Sequence, residues 1–95
     1  MFKIEYHKET QIVSLTRKLD SSKTSEANEV FDKIEDSFTI DMSNLDFICS
    51  AGMGSLVKTY TRLKEKGENV YLTNLNSKIK KILKVSLLDR VFEIK

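Results

Sequence analysis

The sequence predicts an α/β fold: one domain with a mixed, mainly parallel sheet of about five strands, packed with three or more helices. Three observations carry this expectation. Short runs with period-two alternation recur along the chain. Between them lie stretches with apolar residues at three- and four-residue spacing. The resulting order is strand, strand, helix, strand, helix, strand, helix, strand. Such alternation implies right-handed crossovers and parallel neighbours, and the opening hairpin makes the sheet mixed. The 95 residues suffice for one compact domain covering 1–95.

Each element has its own signal. Phe2, Ile4 and Tyr6 alternate with Lys3 and Glu5, as in a half-buried strand. Gln11 to Thr16, carrying Ile12, Val13 and Leu15, reads as a second strand. A hairpin would turn near His7 to Thr10, without an Asn-Gly pair to mark it. Asp20 to Thr24 is a polar break, and Thr24 or Ser25 suits the cap of a first helix. Glu26 and Glu29 suit its first turn. Ala27, Val30, Phe31 and Ile34 then face inward, with Lys33 and Glu35 outside. Phe38 to Met42 reads as a short strand with Phe38, Ile40 and Met42 on one face. After the segment 44–49, the spacing of Met53, Leu56, Val57, Tyr60 and Leu63 predicts a second helix, ended by Gly67. Val70 to Leu72 is a strand. Asn76 or Ser77 caps a third helix with Ile79, Ile82 and Leu83 inward, and Val91 to Ile94 is the last strand.

Composition narrows the function classes. A net charge of +2 is too small to argue for nucleic acid. No apolar run approaches the roughly 20 residues that span a bilayer. Met1 to Lys8 alternates in polarity and lacks the apolar core of a signal peptide, so a cytoplasmic location is expected. The one cysteine, Cys49, allows neither an internal disulfide nor a cysteine zinc cluster. No cofactor is expected, and nothing requires more than a monomer.

Sites in parallel sheets tend to lie at the carboxyl ends of strands. Two loops qualify, Asp20 to Thr24 and Cys49 to Gly54. The second lies within IDMSNLDFICSAGMGSLV, Ile40 to Val57, where a strand enters and a helix leaves. Gly52 and Gly54 fall in the opening of that helix, although glycine costs about 0.8–1 kcal/mol per helical position relative to alanine. Close approach of something to the backbone, or tight packing on the sheet, would explain them equally well. Ser50 is a good N-cap residue. A phosphate there would be tolerated, because a helix N-terminus favours anions.

These residues form a recognisable pattern. The segment resembles the signature of the STAS domain family, the anti-sigma factor antagonists. Asp41-Met42-Ser43 matches its Asp-Leu-Ser, and Phe47-Ile48 matches its aromatic-Ile pair. Cys49-Ser50-Ala51-Gly52-Met53-Gly54 matches Asp/Ser-Ser-Ser/Ala-Gly-Leu-Gly without gaps. Asp20 matches a common family Asp before the first helix, and Asn74 to Leu88 resembles the family's final helix and Leu-rich turn. The resemblance implies a protein partner, an anti-sigma factor that is also a serine kinase. The unphosphorylated chain would bind that kinase and release its sigma factor. Phosphorylation of Ser50 would abolish binding, and a serine phosphatase would reset the switch. It also implies a docking face of Asp20, Ser21, Ser22, Cys49, Ser50, Ala51, Gly52 and Met53. Two departures stand out. Cys49 replaces a frequent Asp, and Ala51 replaces Ser, which leaves Ser50 the clearer acceptor.

Other readings are weaker. A STAS module that works unphosphorylated, as a scaffold or a transporter-associated subunit, is the main alternative. An enzyme using Ser50 or Cys49 is a second, and no enzymatic activity is expected. Cys49 at a helix start could be redox-sensitive, but buried filler is the commoner fate of a lone cysteine. A Cys49–His7 pair lacks a third group. Gly52-x-Gly54-Ser55 lacks the lysine and spacing of a phosphate-binding loop, and Ser50 lacks the upstream glycine of a hydrolase elbow. Asp41 and Asp46 read as polar loop residues rather than paired catalytic carboxylates. Lys78, Lys80, Lys81 and Lys84 read as a solvated helix face, with no aromatics among them for nucleic acid.

Overall fold

The computed structural model describes residues 1–95. Strand β1 (Lys3–His7) pairs antiparallel with β2 (Ile12–Leu19). The chain continues through α1 (Thr24–Phe31), β3 (Phe38–Ile48), α2 (Ser50–Glu65), β4 (Val70–Thr73), α3 (Ser77–Val85) and β5 (Glu93–Ile94). The strands lie in the order β1-β2-β3-β4-β5, and β2 to β5 run parallel. The expected mixed, mainly parallel sheet with three helices is therefore present. Because the strand order never reverses, right-handed crossovers carry every helix to the same side.

The register shows that side. Tyr6, Val13, Ile40, Leu72 and Ile94 form one row across all five strands. Its centre, Val13, Ile40 and Leu72, is fully buried. The neighbouring row of Glu5, Ser14, Asp41 and Thr73 is polar, and none of the four is fully buried. Parallel sheets are usually covered on both faces; here one face is left to polar and β-branched side chains.

Several boundaries differ from the sequence reading: β2 runs from Ile12 to Leu19 instead of Gln11 to Thr16, and α1 ends at Phe31, which leaves the buried Ile34 in the turn beyond it. Strand β3 runs on to Ile48 instead of ending at Met42. Its pairing with β2 shifts between Ser14 and Thr16 and again between Arg17 and Lys18, so β3 carries extra residues at both points. These bulges change the inward spacing from two to three, giving Phe38, Ile40, Met42, Leu45 and Ile48 as the buried set. Neither Thr24 nor Ser25 caps α1. A 3₁₀ turn, Ser21–Lys23, feeds the helix, and Asp20 caps that turn by accepting from the Ser22 N–H at 3.0 Å. His7 closes β1 rather than opening the turn. The last strand is only Glu93–Ile94, because Val91 closes a second 3₁₀ turn, Leu88–Arg90. Phe92 is instead buried edge-on to Tyr60, with ring centroids 5.1 Å apart.

Helix ends and loops are held by specific bonds. Gly67, at φ 80°, follows α2. Its N–H donates to Lys64 O and the Glu68 N–H to Leu63 O, a Schellman ending. Glu68 also accepts from the Ser37 N–H at 2.8 Å and the Ser37 hydroxyl at 2.7 Å, which joins the loops entering β3 and β4. Arg62 donates to Phe31 O at 2.8 Å and Ile34 O at 2.9 Å, and meets Glu35 at 3.2 Å. It thereby ties α2 to the last residue of α1 and to the turn that follows it. Asp41 accepts from the Ser43 N–H at 3.0 Å and from Asn74 at 3.2 Å.

Arg62→Met keeps the apolar stem but removes the donors. It should cost about 1–3 kcal/mol in urea unfolding, since hydrogen bonds to charged groups contribute about that much. Partial burial opposes ionisation of Asp41, but the Ser43 and Asn74 bonds outweigh it and hold the carboxyl below its ordinary value. A depressed carboxyl contributes stability above its unfolded pKa and loses it as pH falls through the folded value. Asp41→Asn should therefore be less stable than the parent near neutral pH. In acid below the folded value, the two unfolding midpoints should converge.

Candidate functional site

The carboxyl ends of β2 and β3 meet the start of α2 through one close contact. The Cys49 N–H donates to Leu19 O at 3.1 Å. One turn later Gly52 passes over the same place. A Cβ on Gly52 would lie 2.9 Å from Leu19 O, Leu19 Cγ and Ile48 Cγ1. Tight packing on the sheet is thus the reason for this glycine. A Cβ on Gly54 would meet nothing within 4 Å, so the second glycine has no such reason.

The cap of α2 is Cys49, not Ser50. The Cys49 Sγ accepts from the Gly52 N–H at 3.4 Å, and Cys49 has extended backbone angles while Ser50 is already helical. Ser50 is released from capping and is exposed at the first position of a 16-residue helix. Its neighbour Ala51 is exposed as well, whereas Gly52 is buried.

A groove of ≈ 1000 Å³ opens beside Ser50. The strand ends contribute Lys18, Asp20, Asp46 and Phe47, α2 contributes Ser50 and Met53, and α3 with its cap contributes Lys78, Lys81, Ile82, Val85 and Ser86. Of the residues expected at a docking face, Asp20, Ser50 and Met53 line this groove. Ser21 and Ser22 lie exposed on the adjoining turn, and the Ser22 hydroxyl donates to Asp20 at 2.6 Å. That bond is the main reason the Asp20 carboxyl is held below its usual range. Cys49 is half-buried with its sulfur turned to the Gly52 N–H.

The α3 wall is the part that sequence reasoning missed. Asn76 builds it by two bonds: its Oδ1 accepts from the Ile79 N–H at 2.9 Å, capping α3, and its Nδ2 donates to Leu45 O at 2.8 Å. The helix is thereby tied to the bulged end of β3. Phe47, turned outward by the second bulge, is 42% exposed, and Val85 is 78% exposed. An outward valine on an otherwise lysine-rich face was the available signal. Lys78 and Lys81 belong to that face and line the groove, not merely open solvent. A smaller cleft of ≈ 280 Å³ adjoins it, lined by Met1, Phe2, Arg17, Lys18, Asp20, Lys23 and Asp46.

The geometry also bears on the catalytic readings. His7 pairs with Ile12 at the amino end of β2, while Cys49 bonds Leu19 at its carboxyl end. The two cannot act as a pair. Asp41 is engaged by Ser43 and Asn74, and Asp46 lines the groove without it. No group of His, Cys, Asp and Glu side chains could hold a metal ion, and no helix is long and apolar enough to cross a membrane.

Comparison with known proteins gives a consistent result. A family model described as the STAS domain matches residues 2–95. Among solved structures, an anti-sigma factor antagonist from Mycobacterium paratuberculosis superposes with a TM-score of 0.82 at 19% identity, covering 99% of this chain and 83% of that one. A Thermotoga maritima protein superposes with a TM-score of 0.80 at 21% identity, covering 98% and 84%. The Bacillus cell-fate determinant SpoIIAA, in its phosphorylated form, gives 0.68 at 16% identity over 100% and 91%. At such identities the likeness is one of fold.

The two glycines should respond oppositely to the same change. Gly52→Ala should destabilise by about 1–2 kcal/mol, because overpacking against a backbone carbonyl outweighs the gain in helix propensity. Gly54→Ala should stabilise by about 0.5–1 kcal/mol. Denaturant midpoints of the two variants, read at equal slope, check both.

Proposed function

The chain belongs to the STAS domain family, and on that footing we propose that it is an anti-sigma factor antagonist switched by phosphorylation of Ser50. The observation that carries this reading is the freedom of Ser50. Cys49 takes over the capping bond, so the Ser50 hydroxyl stands exposed at the rim of a groove with apolar side chains. The unmodified chain docks an anti-sigma factor serine kinase through this face, with Asp20 beside it, and the sigma factor is released. The kinase moves the γ-phosphoryl group of ATP to Ser50 Oγ; ADP leaves and the hydroxyl proton is lost. The product carries a charge of about −1.5 to −2 on the docking face, and the complex dissociates. A serine phosphatase restores the hydroxyl by hydrolysis. The chain acts as a cytoplasmic monomer and performs no catalysis itself. Being first in α2, a phosphorylated Ser50 is compatible with the fold, since the helix start favours an anion.

Incubation with the cognate kinase and ATP should add one phosphate, located on Ser50 by mass spectrometry, and Ser50→Ala should abolish it. Ser50→Asp should weaken kinase binding by about tenfold or more, equivalent to about 1.4 kcal/mol, in calorimetry. Equal phosphorylation of Ser50→Ala would refute the site. Tight kinase binding without any phosphorylation would favour the unmodified scaffold reading.

A further inference from the structure

Four of the sixteen Lys and Arg side chains are in ion pairs: Lys3–Glu5, Lys58–Asp32, Arg62–Glu35 and Lys66–Glu35. Lys18, Lys78 and Lys81 are among the unpaired majority, and what sets these three apart is that they line the groove that holds Ser50. They reach it from separate elements. Lys18 stands near the end of β2, while Lys78 and Lys81 lie three residues apart on α3 and so share one helix face. Two carboxylates line the same groove, Asp20 and Asp46, and neither comes within ion-pair distance of a lysine nitrogen. Asp20 is already engaged by Ser22.

Three unpaired cations thus outnumber the two carboxylates in the groove that the neutral Ser50 hydroxyl lines. A phosphate on that oxygen would use them. It brings about two negative charges and three strong acceptor oxygens, and each ammonium brings three donors on a long, flexible stem.

We propose that Lys78 and Lys81, supported by Lys18, form a built-in receptor for a phosphate carried by Ser50. Capture draws the α3 lysines across the groove and over the exposed Val85 and Phe47. Phosphorylation then closes the docking surface with the chain's own side chains, in addition to placing a repulsive charge on it. The inference rests on the reading of Ser50 as the modified residue.

The test uses the full chain with phosphoserine inserted at position 50 during translation, so no kinase or partner is needed. Phosphorus NMR follows the second ionisation of the phosphate, which lies near 6 for a free phosphoserine. With the native lysines it should fall at least about half a unit below its value in the phosphorylated Lys78→Gln/Lys81→Gln variant. Lys78→Arg/Lys81→Arg should restore the lower value, and high salt should shrink the difference. Asp20, Asp46 and the start of α2 act alike in every variant and cancel in the comparison. These lysines are exposed, so their replacement leaves the core untouched. Superimposable titrations of the parent and the glutamine variant would overturn the receptor. A failed kinase assay would refute only the modification of Ser50, and the two results are independent.

Discussion

The groove depends on how closely α2 can approach the ends of two strands. The Cys49 N–H is fixed to Leu19 O, so the next turn of helix must pass over that carbonyl. Only a residue without a Cβ fits there, and Gly52 supplies it. The approach buries Leu19, Ile48 and Leu56 completely and brings Ser50 to the rim. Glycine weakens a helix by roughly 0.5–1 kcal/mol, a loss that burial of even one leucine, at about 1.5–3 kcal/mol, exceeds. The serine's position is thus a consequence of packing beneath it.

Elements with an unbroken period were legible from the sequence. The row Val13, Ile40 and Leu72 and the α2 stripe of Leu56 and Leu63 follow directly from alternation and helical spacing. Reading failed where the period changed. The spacing of three from Met42 to Leu45 to Ile48 comes from bulges against β2, and pairing of that kind is not visible in one strand alone. Asn76 caps α3 as read, but the caps of α1 and α2 failed for a related reason. Serine and threonine are the favoured capping residues, but Cys49 and Asp20 occupied the geometry first. That Ser50, Met53 and Asp20 line the groove was foreshadowed by their place in the segments just after β3 and β2. Lys78, Lys81 and Val85 were not, because their place depends on the Asn76–Leu45 bond across 31 residues.

The two ends of the sheet are built differently. At the amino ends of β3 and β4, Ser37, Glu68 and Asn69 stitch the incoming loops together. At the carboxyl ends, apart from the Asp41–Asn74 and Asn76–Leu45 ties, charged side chains stand open around apolar ones. A monotonic strand order offers no crevice of the kind that forms where a sheet reverses its order. The opening arises instead from the gap between the start of α2 and the face of α3, and its outline is set by side chains.

The antiparallel course of β1 has a practical side. Because β1 runs against its neighbours, its beginning lies at the carboxyl ends of the other strands. Met1 therefore shares a cleft with Lys18, Asp20 and Asp46, all three of which also line the main groove. Any extension fused ahead of Met1, whether an affinity tag or a fluorescent reporter, would emerge beside this groove and, under the proposed function, compete with the partner for room. An attachment on the outward face of the sheet, where Ser14 and Thr39 stand, would leave that approach clear.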